Sequence, residues 1–70
     1  MVPFEARLKL ARARKGITQR QSAEAVGITA HTYQQYEAGN RRPNFEILVA
    51  LADCFDTTTD YLLGRADLPG

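Results

Sequence analysis

Between Thr18 and Glu37 the chain reads TQRQSAEAVGITAHTYQQYE, and this stretch narrows the available architectures more than any other. It reads as two short helices joined at Gly27. Ala23 is small, so the second helix can cross the first closely. Gly27 stands where a tight turn calls for a positive φ, which glycine adopts without a steric penalty. Val26, Ile28, Tyr33 and Tyr36 are spaced to pack inward from both helices. Ala30, His31, Gln34 and Gln35 then point outward. That outward set is polar but uncharged, unlike an ordinary solvated face rich in lysine and glutamate.

Three more helices complete an all-α chain. The first is expected from about Pro3 to Lys15, with Phe4, Leu8 and Ala11 on one face and Pro3 in its first turn. Arg14 and Lys15 close it, where the macrodipole favours cations. The second runs from about Gln19 to Val26. Thr18 caps it, and Gln21 completes a capping box. The third runs from about Ala30 to Ala38 behind a Thr29 cap. The fourth follows Pro43, with Asn44 as cap and Ile47, Leu48, Leu51 and Phe55 as its apolar side. The fifth is short, capped by Thr58, and carries Tyr61, Leu62 and Leu63. The final segment, residues 65–70, reads as a frayed tail after a domain spanning residues 1–64, and Met1 only as the initiator. No run with strand alternation is present.

Seventy residues make one domain, near the lower limit for independent folding. The single cysteine, Cys54, permits no intrachain disulfide and points to a reducing, cytoplasmic setting. It reads as a half-buried small hydrophobe, with no second thiol or histidine cluster to make a metal site. No apolar run approaches a membrane span, and the first ten residues are too charged for a signal peptide. One histidine, one cysteine and no carboxylate pair placed in a plausible cleft argue against catalysis and suggest no cofactor. Net charge is +1, but its distribution is uneven. Residues 1–42 carry eight basic side chains and three acidic ones, and residues 43–70 carry one basic and five acidic. One half could face phosphate while the other faces solvent or a partner.

A helix N-terminus bearing amide and imidazole groups has the shape and chemistry to read base edges in a DNA major groove. The ordered set Arg7-Leu8-Lys9, Arg12, Gly16-Ile17-Thr18-Gln19, Ala23, Val26-Gly27-Ile28-Thr29, Tyr36-Glu37 with Gly39, Arg41, Pro43 and Asp60-Tyr61-Leu62-Leu63-Gly64 resembles the phage repressor and Cro-like helix-turn-helix family. The resemblance covers about residues 5–64. It implies a five-helix, lambda-repressor-like domain in the cytoplasm that binds a double-stranded DNA operator, commonly as a homodimer, and regulates transcription.

Matched position by position, the resemblance gives roles. Ala30, His31, Gln34 and Gln35 are the candidates for base contacts. Glutamine can pair with adenine, an alanine methyl can touch a thymine methyl, and histidine can meet guanine. If His31 donates as a cation, binding tightens as pH falls; the alternative is an idle, exposed imidazole. Arg12, Thr18, Gln19, Arg20, Thr29, Asn40, Arg41, Arg42 and Asn44 are the candidates for the DNA backbone. Gln19 could lie against phosphate or the first base pair, or simply open its helix. Arg20 could equally be solvated, and Arg41 could serve loop carbonyls. The resemblance also implies a structural salt bridge between Arg12 and Glu37.

Some positions depart from the family. Ala11 and Ser22 stand where leucine is usual, and Tyr33 stands where isoleucine or valine is usual. A tyrosine ring can fill the space that the two smaller residues leave, with Ser22 as one partner for its hydroxyl. Asp56 replaces a usual glycine and tolerates the turn moderately well. Leu10 lies off the apolar side of its helix. The rival to DNA binding is an antitoxin-like or protein-interaction module. Its partner would sit on the acidic Asp53, Asp56, Asp60 and Asp67 and the hydrophobic Leu62, Leu63 and Leu68.

Overall fold

Local capping chemistry sets where each helix starts and stops. In the computed structural model, which describes residues 2–68, five helices run in order: α1 (Phe4–Lys15), α2 (Gln19–Val26), α3 (Ala30–Ala38), α4 (Phe45–Cys54) and α5 (Thr59–Leu62). Met1, expected as the initiator, and Pro69 and Gly70, expected at the end of the tail, lie outside the described residues. Thr18 builds the expected box. Its Oγ1 accepts from the Gln21 amide at 3.0 Å, and its own amide donates to Gln21 Oε1 at 2.9 Å. Thr29, Asn44 and Thr58 cap α3, α4 and α5 by the first of these bonds, their side-chain oxygens accepting from the amides of Thr32, Ile47 and Tyr61. Gly27 ends α2 at φ 76°, and Asp56 takes φ 52° after α4.

The turn at Gly27 folds α3 back onto α2. Helix α1 packs on α3, α4 on α2, and α5 on α1 and α4. The core between them holds Phe4, Leu8, Ala11, Ala23, Tyr33, Tyr36, Leu51, Ala52, Phe55, Tyr61 and Leu62. Val26, Ile28, Ile47 and Leu48 are half-buried against it. Tyr33, Ser22 and Ala11 are all fully buried, which fits an exchange of volume among them. Tyr33 meets Tyr36 edge-on, with ring centroids 6.4 Å apart. Leu10 is exposed, Cys54 is half-buried, and Leu63 falls just beyond α5 on the surface.

Two observations differ from the sequence reading. Arg7 is buried on the apolar side of α1 between Phe4 and Leu8. Its guanidinium carbon lies 4.4 Å from the centre of the Tyr61 ring, a cation–π stack. Its Nη1 donates to the Ala66 carbonyl at 2.9 Å, and its Nη2 sits 3.7 Å from Asp67. The described part of the segment expected to fray is therefore tied to α1, and the Arg65 and Ala66 amides also donate to the Asp60 carbonyl. Among the described residues, no helix is long and apolar enough to cross a membrane.

Candidate nucleic-acid interface

Helix α3 begins at a threonine cap and ends at Gly39, so its nine residues present one short, well-bounded outer side. His31 and Gln34 on that side are exposed, while Ala30 and Gln35 are half-buried. Neither the His31 nor the Gln34 side chain forms a hydrogen bond or ion pair with another described residue. Gln35 differs. Its Oε1 accepts from Asn40 Nδ2 at 3.2 Å, and its main-chain carbonyl accepts from the amides of Asn40 and Arg41. That ties Gln35 to the loop after the helix.

Under the outer side lies a single buried carboxylate. Glu37 Oε2 accepts from Arg12 Nε at 2.6 Å and from the Tyr33 hydroxyl at 2.5 Å. Its Oε1 accepts from Arg12 Nη2 at 3.2 Å and from Gln19 Nε2 at 3.0 Å. Arg12 Nη1 also donates to the Ile17 carbonyl at 3.0 Å, fixing the loop that leads into α2. Burial alone pushes the Glu37 carboxyl up, yet the bonds from Arg12, Tyr33 and Gln19 outweigh it and hold the group below the usual carboxylate range. Burial, then the bond to Glu37, pushes the Tyr33 phenol well above its ordinary value. The same carboxylate raises Arg12 further into its charged form. The hydroxyl of Tyr33 thus donates to Glu37, and Ser22, which the sequence offered as one option, also bears on the phenol and lowers its pKa slightly against the other causes. Ser22 donates its own hydroxyl to the Thr18 carbonyl at 2.8 Å.

The candidates for backbone contact fall into three groups. Thr18, Thr29 and Asn44 are helix caps whose side-chain oxygens already accept from main-chain amides. Arg12 and Gln19 are held by Glu37, and Asn40 by Gln35. Arg20, Arg41 and Arg42 are exposed, with Arg42 edging an apolar groove lined by Phe4, Pro43, Leu48 and Leu63.

Charge is arranged differently from what a count along the chain suggests. Arg7 and Arg12 are engaged inside the domain, and Lys15 pairs with Asp56 on the surface. Lys9, Arg14, Arg20, Arg41 and Arg42 are the exposed basic side chains of the first 42 residues with no acidic partner among the described residues. The acidic half is similarly occupied: Asp56 pairs with Lys15, Asp60 lies 4.0 Å from Arg65, and Asp67 faces Arg7.

Sequence reasoning missed the Glu37 bonds to Tyr33 and Gln19, the burial of Arg7, and an apolar strip on α4 where Phe45 is 75% and Val49 48% exposed. The i, i+4 spacing of Tyr33 and Glu37 carried a usable signal, as did the place of Arg7 among Phe4, Leu8 and Ala11.

The comparisons agree with one another. A helix-turn-helix family model matches residues 8–62. The HTH-type transcriptional regulator AnsR of Bacillus subtilis is 49% identical over 59 residues, covering 84% of this chain and 51% of that protein. The cryptic phage CTXphi transcriptional repressor RstR of Vibrio cholerae is 42% identical over 59 residues, covering 81% and 53%. The chain thus spans about half the length of these relatives. The crystal structure of the P22 c2 repressor in complex with a synthetic operator superposes with a TM-score of 0.87 at 27% identity, covering 94% of this chain and all of the other.

Proposed function

This chain belongs to the helix-turn-helix family, with phage repressors among its relatives, and from that premise we propose that it binds duplex DNA sequence-specifically and represses transcription. The observation that carries the reading is the outer side of α3. It carries hydrogen-bonding groups and no exposed Lys, Arg, Asp or Glu, with the His31 and Gln34 side chains exposed and unengaged. Such a surface suits the major groove, where Gln34 can pair with adenine, His31 can meet guanine and Ala30 can touch a thymine methyl. Gln35, tied to Asn40, takes a lesser part.

Backbone contacts are assigned to Arg12, Thr18, Gln19, Arg20, Thr29, Asn40, Arg41, Arg42 and Asn44. The α2 N-terminus would set the register on phosphate, and the exposed arginines would supply attraction. The binding domain is assigned to residues 1–64, with 65–70 as an extension, and its place of work to the cytoplasm. Function as a homodimer is supported by the exposed apolar pair Phe45 and Val49 on α4. The protein-interaction alternative is the weaker, because Asp56, Asp60 and Asp67 already face basic side chains. We assign a binding role and no catalytic step.

Selection of bound duplexes from a random pool tests the reading. A preferred site should emerge, and its affinity should fall with salt at a slope near −0.9 per phosphate neutralised. Recovery of no preferred duplex, or binding indifferent to salt, would refute it.

A further inference from the structure

The Glu37 carboxylate gathers donors from three helices: Arg12 of α1, Gln19 of α2 and Tyr33 of α3. A carboxylate offers about four acceptor positions, and four donor contacts fill them here. Because a carboxylate only accepts, the Gln19 carboxamide must turn its nitrogen toward Glu37 and its oxygen away. Gln19 is the first residue of α2, beside the Thr18 cap. Its orientation is thus fixed before any ligand arrives. The bond from Tyr33, buried and one turn from Glu37 on the same helix, holds that carboxylate in place.

We propose that Tyr33 is a positioning residue for DNA binding: through Glu37 it pre-orients the Gln19 carboxamide at the start of α2. This rests on the DNA-binding reading above. Tyr33 itself lies fully buried on the core side of the reading helix and leaves no surface for DNA. Its contribution is to remove the ordering that Gln19 would otherwise undergo on binding. With phenylalanine at position 33, Glu37 loses one donor and can swing, and the Gln19 amide is released with it.

A double-mutant cycle on the selected duplex tests this, with folding of each variant checked by circular dichroism. Tyr33→Phe should weaken binding about five- to tenfold in the parent chain and less than about twofold in the Gln19→Ala background. Equal losses in both backgrounds, or no loss in the parent, would overturn the proposal, since a purely structural prop acts the same with or without Gln19. Should Tyr33→Phe not fold, the two Gln19 Nε2 protons of the parent decide by nuclear magnetic resonance. Exchange with water slower than that of the exposed Gln34 amide supports a held amide, and exchange as fast as at Gln34 overturns it, since slow rotation about the amide bond resolves the two protons in either case. A parent chain that selects no duplex removes the DNA-binding reading itself, an outcome distinct from failed coupling.

Discussion

Tyr33 donates its phenolic hydrogen to the Glu37 carboxylate across 2.5 Å, one turn along α3, with both side chains buried. The bond exists because Tyr33 stands where the family usually carries isoleucine or valine, which could offer Glu37 no donor. Hydrogen bonds to charged groups are worth about 1.5–3 kcal/mol, so Tyr33→Phe should destabilise by about that much. Tyr33→Ile loses the same bond and leaves a void, and should exceed it by about 1–2 kcal/mol. Urea unfolding at neutral pH measures both, and an isoleucine variant as stable as the parent would contradict the account.

Acid should expose the same site. The folded-state pKa of Glu37 lies below its unfolded value of 4.5, so the unfolded chain binds more protons as pH drops through that region. The stability that Glu37 contributes is present above about pH 4.5 and lost as pH falls through its folded-state value. Denaturation curves between pH 7 and 2 should show this limb in the parent. In Glu37→Gln the limb should be shallower, and stability at pH 7 lower.

Gly27 isolates a backbone effect. A Cβ at this position meets no atom within 4 Å, yet φ is +76°. Gly27→Ala should therefore destabilise by about 1–2 kcal/mol through conformation alone. Thermal unfolding would show it, with α-helical content unchanged in the folded state.

On DNA, Gln34→Ala and Arg42→Ala should separate. Removing Gln34 should cost about 1–3 kcal/mol on the selected site and relax preference at one base pair. Removing Arg42 should weaken selected and random duplexes alike and reduce the salt slope. Anisotropy titrations on both duplexes distinguish them, and equal losses for Gln34→Ala on the two would take it out of the reading set.

Phe45 offers the clearest test of self-association. It is 75% exposed, so Phe45→Ser should change monomer stability by no more than about 0.5 kcal/mol. Sedimentation should nevertheless shift toward the monomer, and binding to a two-fold site should lose cooperativity. An unchanged sedimentation profile would exclude this strip as the contact.

Helix limits were readable in the chain because capping is local. Thr18 with Gln21, Thr29 with Thr32, and Asn44 with Ile47 act across three residues, and the α2 and α3 bounds result from them. The outer side of α3 was readable for the same reason: helical periodicity alone separates Gln34 from Tyr33. What stayed hidden acts between distant positions. Lys15 reaches Asp56, Arg7 reaches Ala66, and Gln19 reaches Glu37 only once the helices are packed. A linear charge count therefore credited Arg7 and Lys15 to a basic surface, whereas Arg7 is buried and Lys15, though exposed, is paired with Asp56. Phe45 escaped notice because helical spacing shows that an apolar residue lies off the main stripe, not whether another element covers it.

Arg7 has a mechanical consequence. With its guanidinium stacked on Tyr61 and donating to the Ala66 carbonyl, it couples the two sequence extremes of the described fold. A load applied beyond Ala66 would be shared with α1 instead of peeling α5 away by itself. A cut made at Gly64 would strand a desolvated cation without its acceptor, so the working edge of this folding unit lies past its last helix.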